Sequence, residues 1–390
     1  MSATNWNRVK LKYLAALKSG DAIDGKDIKD EGDYPVYGGN GLRGYTSGFT
    51  NEGDRILIGR QGALCGNINY ASGKFWATEH AIVATPKQDF NTTWLGEALR
   101  ALNLNQYAQS AAQPGIAVEV IENLEVMVPP RPEQDRIAGR LSASLSSLDR
   151  LVEAKQTLLS LLTEKRRALI ANAVTQGLNP DVPMRDSGID WLGQIPAHWQ
   201  TESTRWLFKE IDDRSEDGSE ELLTVSHLTG VTKRSEKEVN MFLAESNEGY
   251  KRCRAGDLVI NTLWAWMGAM GVTRHDGIVS PAYNVYRPIQ AFNPDYLDHL
   301  VRTPLFVTEI TRYSKGVWSS RMRLYPEGLY EASMPVPLLA EQAQIVQEIA
   351  YQIQHIDALS SATKDTVELL EERRTALIAQ AVLGTLHNAN

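Results

Sequence analysis

Two stretches of the chain place apolar residues at the seven-residue spacing that is typical of a coiled-coil seam. The positions are Leu141, Leu148, Leu162 and Leu169 in the first stretch, and Ile349, Ile356, Leu370 and Leu377 in the second. Neither Pro nor Gly occurs from Leu141 to Gln176 or from Glu341 to Leu383. Each stretch is therefore predicted to form one long helix, since ~40 helical residues span ~60 Å. Its apolar stripe must be buried, and the obvious partner is the other helix in an antiparallel pair.

The two stretches belong to a tandem repeat with a constant offset. Glu133-Gln134 recurs as Glu341-Gln342, and 341 − 133 gives an offset of 208 residues. The tetrapeptide Ala-Leu-Ile-Ala at 168–171 recurs intact at 376–379. Further matched pairs are Val128 and Val336, Ile137 and Ile345, Asp149 and Asp357, and Arg166 and Arg374. Agreement of this extent without a gap indicates a duplication.

The stretches that precede the helices have the mixed strand and turn character of globular domains. Residues 53–60 suggest a turn that leads into a buried strand, and residues 255–260 occupy the equivalent place. Residues 81–83 likewise correspond to 283–285, and Trp94-Leu95 to Tyr296-Leu297. The predicted fold class is α+β, with two similar mixed α/β domains separated by two long antiparallel coiled-coil helices in a pseudo-twofold tandem repeat.

The predicted boundaries divide the chain into six parts. They are a first domain (1–130), a first long helix (131–178), a linker (179–199), a second domain (200–334), a second long helix (335–384) and a tail (385–390). The linker is assigned from its Gly, Pro and Asp content. Because the two domains share a scaffold and differ in their loops, they are expected to recognise two different things.

Several motifs resemble those of the specificity subunits of type I restriction and modification systems. Residues 184–199 (MRDSGIDWLGQIPAHW) are similar to the entry of the second target-recognition domain in that family. The Val-Pro-x-x-x-Glu-Gln-x-x-Ile openings at Val128 and Val336 resemble further regions of the family, as does the Arg-Arg-x-Ala-Leu-Ile helix end at 373–378, which reads Lys-Arg-Arg-Ala-Leu-Ile at 165–170. So do YGGNG at 37–41 and IGRQG at 58–62. The resemblance covers essentially the whole chain, although the first domain has only Trp6 in place of the Ile-Pro-x-His-Trp entry.

The resemblance implies a division of labour between subunits. Each target-recognition domain would read one half of a split double-stranded DNA target, and the helices would set the number of unread base pairs between the halves. Two methylation subunits would dock on this chain and hold S-adenosylmethionine, and two restriction subunits would use ATP and Mg²⁺, so no cofactor is expected in this chain. The predicted subunit-interface residues are Glu133, Gln134, Ile137, Glu341, Gln342 and Ile345.

The charge of the chain limits how it could contact DNA. Its 40 Lys and Arg against 48 Asp and Glu give a formal net charge of −8, whereas non-specific affinity for DNA comes from cations that neutralise phosphates. Any DNA contact must therefore be local. The only cysteines, Cys65 and Cys253, are far apart, and no His pair has metal-ligand spacing, so no metal is predicted. No apolar run approaches the ~20 residues of a membrane span, and the expected compartment is the cytoplasm.

Candidate DNA-binding residues are polar and basic side chains in predicted loops. The strongest basic patch lies within 312–323, which contains no acid, and its candidates are Arg312, Lys315, Ser319, Ser320, Arg321 and Arg323. The repeat offset maps Arg321 onto Gln113 in the first domain. The other candidates are Arg43, Tyr45, Arg60 and Gln61 in the first domain, and Lys251, Arg252 and Arg254 in the second. Asn261, Trp264 and Trp266 flank the central strand of the second domain, where aromatic residues more often belong to the core.

Catalytic motifs were sought and none fits. The chain has no Asn-Pro-Pro-aromatic motif of an adenine methyltransferase and no phosphate-binding loop. The nuclease-like match of Pro132-Glu133 with Glu153-x-Lys155 fails because Glu153 and Lys155 lie on the first long helix. The chain is therefore predicted to be non-catalytic. The alternative function is a coiled-coil adaptor protein that does not bind DNA.

Overall fold

The chain forms two compact units that each combine a globular domain with parts of both long helices. A computed structural model describes residues 6–62, 64–108, 114–236, 246–316 and 322–382. Unit one is Met1–Thr157 with Thr363–Asn390, and unit two is Leu158–Ala362. These units divide both long helices, so they do not follow the six predicted parts, whose boundaries stay predictions.

The described residues of the first domain form short strands and short α-helices. Its elements in chain order are β1 (Asn7–Lys10), α1 (Leu11–Leu14), β2 (Ala15–Ser19), β3 (Tyr34–Gly38), β4 (Gly41–Thr46), β5 (Asn51–Glu52), β6 (Arg55–Gly59), β7 (Ile68–Ala71), β8 (Lys74–Ala77), β9 (Ala81–Pro86), α2 (Thr92–Ala101), α3 (Val118–Ile121) and β10 (Glu125–Val128), and the helix α4 (Arg131–Gln176) follows. A sheet of order β2-β9-β6-β7 forms its centre, beside a second sheet of order β4-β3-β8-β5.

The second domain repeats the central part of this arrangement. Its elements are β11 (Met184–Asp186), β12 (Gln194–Pro196), β13 (Gln200–Ser203), α5 (Thr204–Leu207), β14 (Phe208–Ile211), β15 (Leu223–Ser226), β16 (Gly230–Lys233), β17 (Lys251–Cys253), β18 (Leu258–Asn261), β19 (Met270–Val272), β20 (Gly277–Val279), β21 (Tyr283–Pro288), α6 (Pro294–Val301), α7 (Pro304–Tyr313), α8 (Pro326–Glu331) and β22 (Ser333–Val336), and the helix α9 (Leu339–Val382) follows. The sheet order β14-β21-β18-β19 matches that of the first domain, and β13 pairs with β22 as β1 pairs with β10.

The central strands β6 and β18 are apolar because both faces of the sheet are covered. Ile56, Leu57 and Ile58 are at most 1% exposed, and Leu258 and Val259 are fully buried. The predicted matches of 81–83 with 283–285 and of Trp94 with Tyr296 are confirmed: β9 and β21 each pair with the central strand, and both aromatic side chains are fully buried. The fold class predicted for the domains is correct.

The two long helices are confirmed, with 46 residues in α4 and 44 in α9. In unit one, Asp149 of α4 accepts a hydrogen bond from Arg374 of α9 at 3.2 Å, and Leu141 shares a core with Ile378. In unit two, Arg166 of α4 lies 3.8 Å from Asp357 of α9. Residue numbers fall along α9 as they rise along α4, so the helices are antiparallel. Because 149 + 208 = 357 and 166 + 208 = 374, the same two repeat positions form both ion pairs.

The predicted linker contains ordered structure that belongs to unit two. The strands β11 and β12 form a hairpin, and Leu192, Ile195 and Trp199 join the core of the second domain. Glycine and proline in this stretch thus build tight turns around a few buried anchors. Among the described helices, none combines the length and the apolar composition that crossing a bilayer requires.

Candidate nucleic-acid interface

A cleft of about 560 Å³ opens between two loops of the first domain. One loop is the turn between β3 and β4, and the other follows β6. The lining residues are Gly39, Asn40, Gly41, Leu42, Arg43, Gln61, Gly62, Leu64 and His80. The predicted candidates Arg43 and Gln61 are therefore brought together in one site, although 18 residues separate them along the chain.

Close approach of main chains explains the glycines on either side of this cleft. A Cβ atom on Gly59 would lie 2.4 Å from the carbonyl oxygen of Gly39, and a Cβ on Gly39 would lie 2.8 Å from that of His80. Real side chains do not tolerate such distances, so only Gly lets the loops pack this closely. The motifs YGGNG and IGRQG thus shape the cleft by the absence of side chains.

Gln61 is held in position by a neighbour that the sequence did not single out. The ring Nδ1 of His80 lies 2.9 Å from Gln61 Oε1, and since an amide oxygen only accepts, the imidazole donates. The loop itself is fixed by main-chain bonds from Gly62 to the carbonyl of Pro114 at 3.0 Å and from Ile116 to that of Arg60 at 2.9 Å. His80 reaches the site through the β8–β9 turn, and no spacing in the sequence signals this contact.

The remaining first-domain candidates lie apart from the cleft or beyond the described residues. Tyr45 is half-buried in β4, where its main chain pairs with Lys29. Arg60 is half-buried, and its carbonyl accepts the loop bond from Ile116. Gln113 lies outside the described residues.

The second domain carries an apolar loop at the corresponding place. Leu324 donates its main-chain N–H to the carbonyl of Thr262 at 3.0 Å, which matches the bond from Ile116 to Arg60 because 116 + 208 = 324. The next residues, Leu263 and Trp264, are 41% and 50% exposed. The expectation that Trp264 belongs to the core is therefore wrong, whereas Asn261 is buried.

Exposed cations lie next to this loop. Lys315 and Arg323 exchange two main-chain hydrogen bonds of 2.9 Å, and both residues are exposed. Arg312 differs from them because its guanidinium lies 3.0 Å from Glu309 and 3.8 Å from Asp190. Ser319, Ser320 and Arg321 lie outside the described residues.

Two of the three candidates around β17 have internal carboxylate or amide partners. Lys251 is buried and its Nζ donates to Asn284 Oδ1 at 3.2 Å. Arg252 donates to Glu220 at 2.6 Å, and the Ser215 hydroxyl together with this guanidinium lowers the pKa of Glu220 to about 2. Only Arg254 is exposed. Contact of these three residues with DNA stays a prediction.

Comparison with known proteins finds similarity to type I specificity subunits. Residues 3–161 match the model of the type I restriction modification DNA specificity domain. The type I restriction enzyme EcoprrI specificity subunit of Escherichia coli is 41% identical over 138 residues, which is 34% of this chain and 34% of the relative; the chain thus spans about a third of that relative's length. The EcoBI specificity subunit of the same organism is 22% identical, over 98% of this chain and 86% of the relative. The chain is thus similar to type I specificity subunits.

A solved structure supports the fold of the chain along its length. A chain from a study of complex assembly and conformational transition of the type I R-M system superposes with a TM-score of 0.67. The superposition covers 97% of both chains at 14% identity. At this identity the likeness concerns the fold alone.

The repeated glutamines fasten each domain to its long helix. Gln134 accepts from the main-chain N–H of Asn91 at 3.0 Å and donates to the carbonyl of Pro129 at 2.9 Å. Gln342 makes the same two bonds, with Asn293 at 2.8 Å and Pro337 at 2.9 Å. Asn91 and Asn293 are the N-caps of α2 and α6, so each glutamine links the start of a domain helix to the start of a long helix.

The other residues of the repeated motif also have contacts within the chain. Ile137 and Ile345 are at most 6% exposed. Glu341 accepts from Trp199 Nε1 at 2.9 Å and from His198 Nε2 at 3.0 Å, so the His-Trp entry of the second domain docks on the second helix. Glu133 pairs with Arg136 at 2.6 Å. These internal bonds explain why the motif recurs, and its predicted contact with partner subunits stays a prediction.

Proposed function

We propose that this chain reads DNA sequence for a type I restriction and modification complex, with each domain taking one half of a split target. The observation that carries the proposal is a pair of loops that match in position and differ in chemistry. Each loop follows the central strand of the four-stranded sheet in its own domain. Each is also tied by a main-chain bond at the equivalent position. Two domains that share a scaffold and differ in their loops suit a protein that reads two different half-sites.

The first-domain cleft has the side chains that read bases in the major groove. An Arg guanidinium matches O6 and N7 of guanine, and a Gln amide matches N6 and N7 of adenine. Arg43 and Gln61 line the same cleft. The bond from His80 fixes the direction of the Gln61 amide and leaves its NH₂ group and a second lone pair on its oxygen for a base.

The second domain supplies cations for the phosphates of its half-site. Lys315, Arg323 and Arg254 are exposed, and phosphate contacts of this kind position a protein on the duplex without reading sequence. Ser319, Ser320 and Arg321 remain candidates for base contacts on the sequence alone. Because the chain has a formal net charge of −8, phosphate contacts are confined to local groups of exposed cations such as these.

The long helices are proposed to set the number of unread base pairs between the half-sites and to dock two methylation subunits. The 46 residues of α4 correspond to ~70 Å at ~1.5 Å per residue, which compares with ~34–36 Å for one turn of DNA. Methyl transfer with S-adenosylmethionine, and cleavage with ATP and Mg²⁺, are assigned to the methylation and restriction subunits. This chain would contribute recognition and no catalysis.

Methylation in cells tests the proposal. The chain is co-expressed with the methylation subunit encoded beside it in a host free of DNA methylation, and methyladenine is mapped across the genome by single-molecule sequencing. We expect methylation at one split motif, which would supply both half-sites. If both proteins are soluble and associated but no motif is methylated, the chain is the coiled-coil adaptor. The match to a DNA specificity domain does not favour that alternative.

A further inference from the structure

The loop after β18 presents large apolar side chains to solvent. Trp264 is 50% exposed, Leu263 41% and Met267 36%. Adjacent exposed apolar residues mark an interaction surface more often than isolated ones do. At the matching place the first domain has Arg60-Gln61-Gly62 and no aromatic residue. The first-domain loop also exposes an apolar residue, Leu64, at 49%. The pair of aromatic residues, Trp264 and Trp266, is therefore the property of the second domain alone and is not required by the shared scaffold.

The exposed indole is braced from behind. The ring of Trp266 stacks on that of Trp264, with centroids 6.1 Å apart and planes at 22°. Trp266 Nε1 donates to the carbonyl of Leu263 at 3.1 Å. Main-chain bonds from Trp264 to Asn261 and from Ala269 to Trp264, of 3.0 and 3.1 Å, close the loop. Such bracing reduces the rotamer freedom that Trp264 would lose on contact with a partner.

The charges beside the loop favour DNA as the occupant. The bond from Leu324 to Thr262 places the segment that carries Arg323 beside the start of the loop, and Arg323 is paired in turn with Lys315. Both cations are exposed. An aromatic surface bordered by cations complements stacked bases bordered by phosphates.

We propose that Trp264 is a wedge that enters the base stack of the second half-site and thereby helps to determine its sequence. This inference rests on the proposed function. Apolar side chains that insert between base pairs partly unstack them and kink the duplex. Pyrimidine–purine steps unstack most easily, so the half-site read by the second domain is expected to contain such a step. The first domain reads its half-site through hydrogen bonds.

The test uses the complex of the full chain with its methylation subunit and duplexes that carry 2-aminopurine. The probe is placed at each step of the second half-site except the methylated adenine, which the methylation subunit would itself displace. The parent complex and Trp264→Phe should raise the fluorescence at one step, and Trp264→Ala should not. Trp264→Ala should also lower the affinity about 10- to 100-fold, since stacking on an aromatic side chain contributes that much. The slope of affinity against salt should stay unchanged, because no phosphate contact is lost.

Trp206 provides the matched control, because it is 68% exposed on α5 in the same domain. Trp206→Ala should behave as the parent in both assays. Equal fluorescence and affinity for Trp264→Ala and the parent would overturn the proposal, as would weaker association of Trp264→Ala with the methylation subunit in the absence of DNA. The parent complex gives a test that does not depend on the folding of a variant: absence of any fluorescence rise also overturns the wedge. Failure of the parent to methylate any split motif would overturn the proposed function itself.

Discussion

The two domains hold their loops in the same way and fill them with different chemistry. In the first domain the loop after the central strand carries Gln61 and lies beside a glycine-lined cleft, whereas in the second it carries two tryptophans and lies beside exposed cations. Both loops are anchored by main-chain hydrogen bonds and a buried strand. Neither anchor depends on side chains at the tip of the loop. Substitutions at the tip can therefore change what the loop recognises without loss of stability of the domain.

The largest loss of stability is expected from substitution of Gln134 or Gln342. These substitutions test whether the shared scaffold is stabilised equally in the two domains. Gln134→Ala and Gln342→Ala should each destabilise their domain by about 2–5 kcal/mol, because each leaves a partly buried N–H and a buried carbonyl without a partner. Hydrogen exchange at the amides of Asn91 and Asn293 would report the two domains separately.

Gln347→Ala is the control for these two variants, since Gln347 is exposed on α9. This substitution should change the hydrogen exchange of Asn91 and Asn293 little. Effects of Gln134→Ala and Gln342→Ala that differ by more than ~2 kcal/mol would break the comparison, because identical bonds would then have unequal importance in the two domains.

The next effect concerns base reading in the first domain. Gln61→Ala should relax methylation at one position of one half-site, with a loss of discrimination of about 1–3 kcal/mol for that base, and leave the other half-site unchanged. Mapping of methyladenine in cells measures both half-sites at once. Gln88→Ala, at an exposed residue of the same domain, should retain the parent motif. A change in both half-sites would show that the domains do not read independently.

Salt dependence separates the exposed cations of the second domain from the paired ones. Lys315→Ala and Arg323→Ala should each reduce the slope of log affinity against log salt by ~1, with similar weakening on every sequence. Arg252→Ala should leave the slope unchanged, since Arg252 is paired with Glu220 at 2.6 Å. An equal change in slope for all three variants would mean that Arg252 exchanges its carboxylate partner for phosphate.

The smallest effect is expected from the ion pairs of the long helices. Double-mutant cycles should give about 0.2–1 kcal/mol for Asp149 with Arg374 and no more for Arg166 with Asp357, because such exposed pairs contribute little. The separations of 3.2 and 3.8 Å favour the first pair. Unfolding of the full chain in urea at low and high salt measures both cycles. A coupling well above 1 kcal/mol would assign these pairs a larger part in holding the helices together.

Features that depend on local periodicity could be predicted from the sequence. The seam residues Leu141, Leu148, Ile349 and Ile356 are buried, because seven-residue spacing places them on one face of a helix. The match of Trp94 with Tyr296 was equally accessible, since both are apolar anchors on the inner face of an amphipathic helix.

Features that depend on tertiary partners could not be predicted. Lys251 and Arg252 resemble surface cations in sequence, and their partners Asn284 and Glu220 are 33 and 32 residues away. Trp264 resembles a core residue by its chemistry, yet it is half exposed because its neighbour Trp266 occupies the space behind it. His80 joins the cleft only because a turn between two strands brings it there.

The reach of the core of unit one has a consequence for synthesis on the ribosome. That core includes Leu11 near the start of the chain and Ile378, Ala381 and Val382 far along it. From Leu145, the last residue that α4 contributes to this core, to Val382 is 382 − 145 = 237 residues. At ~5–20 residues per second, this interval lasts on the order of 10–50 s. During that time the first domain has emerged with an uncovered apolar face, whereas the core of the second domain takes its last buried residues, Ile345 and Ile349, from the start of α9.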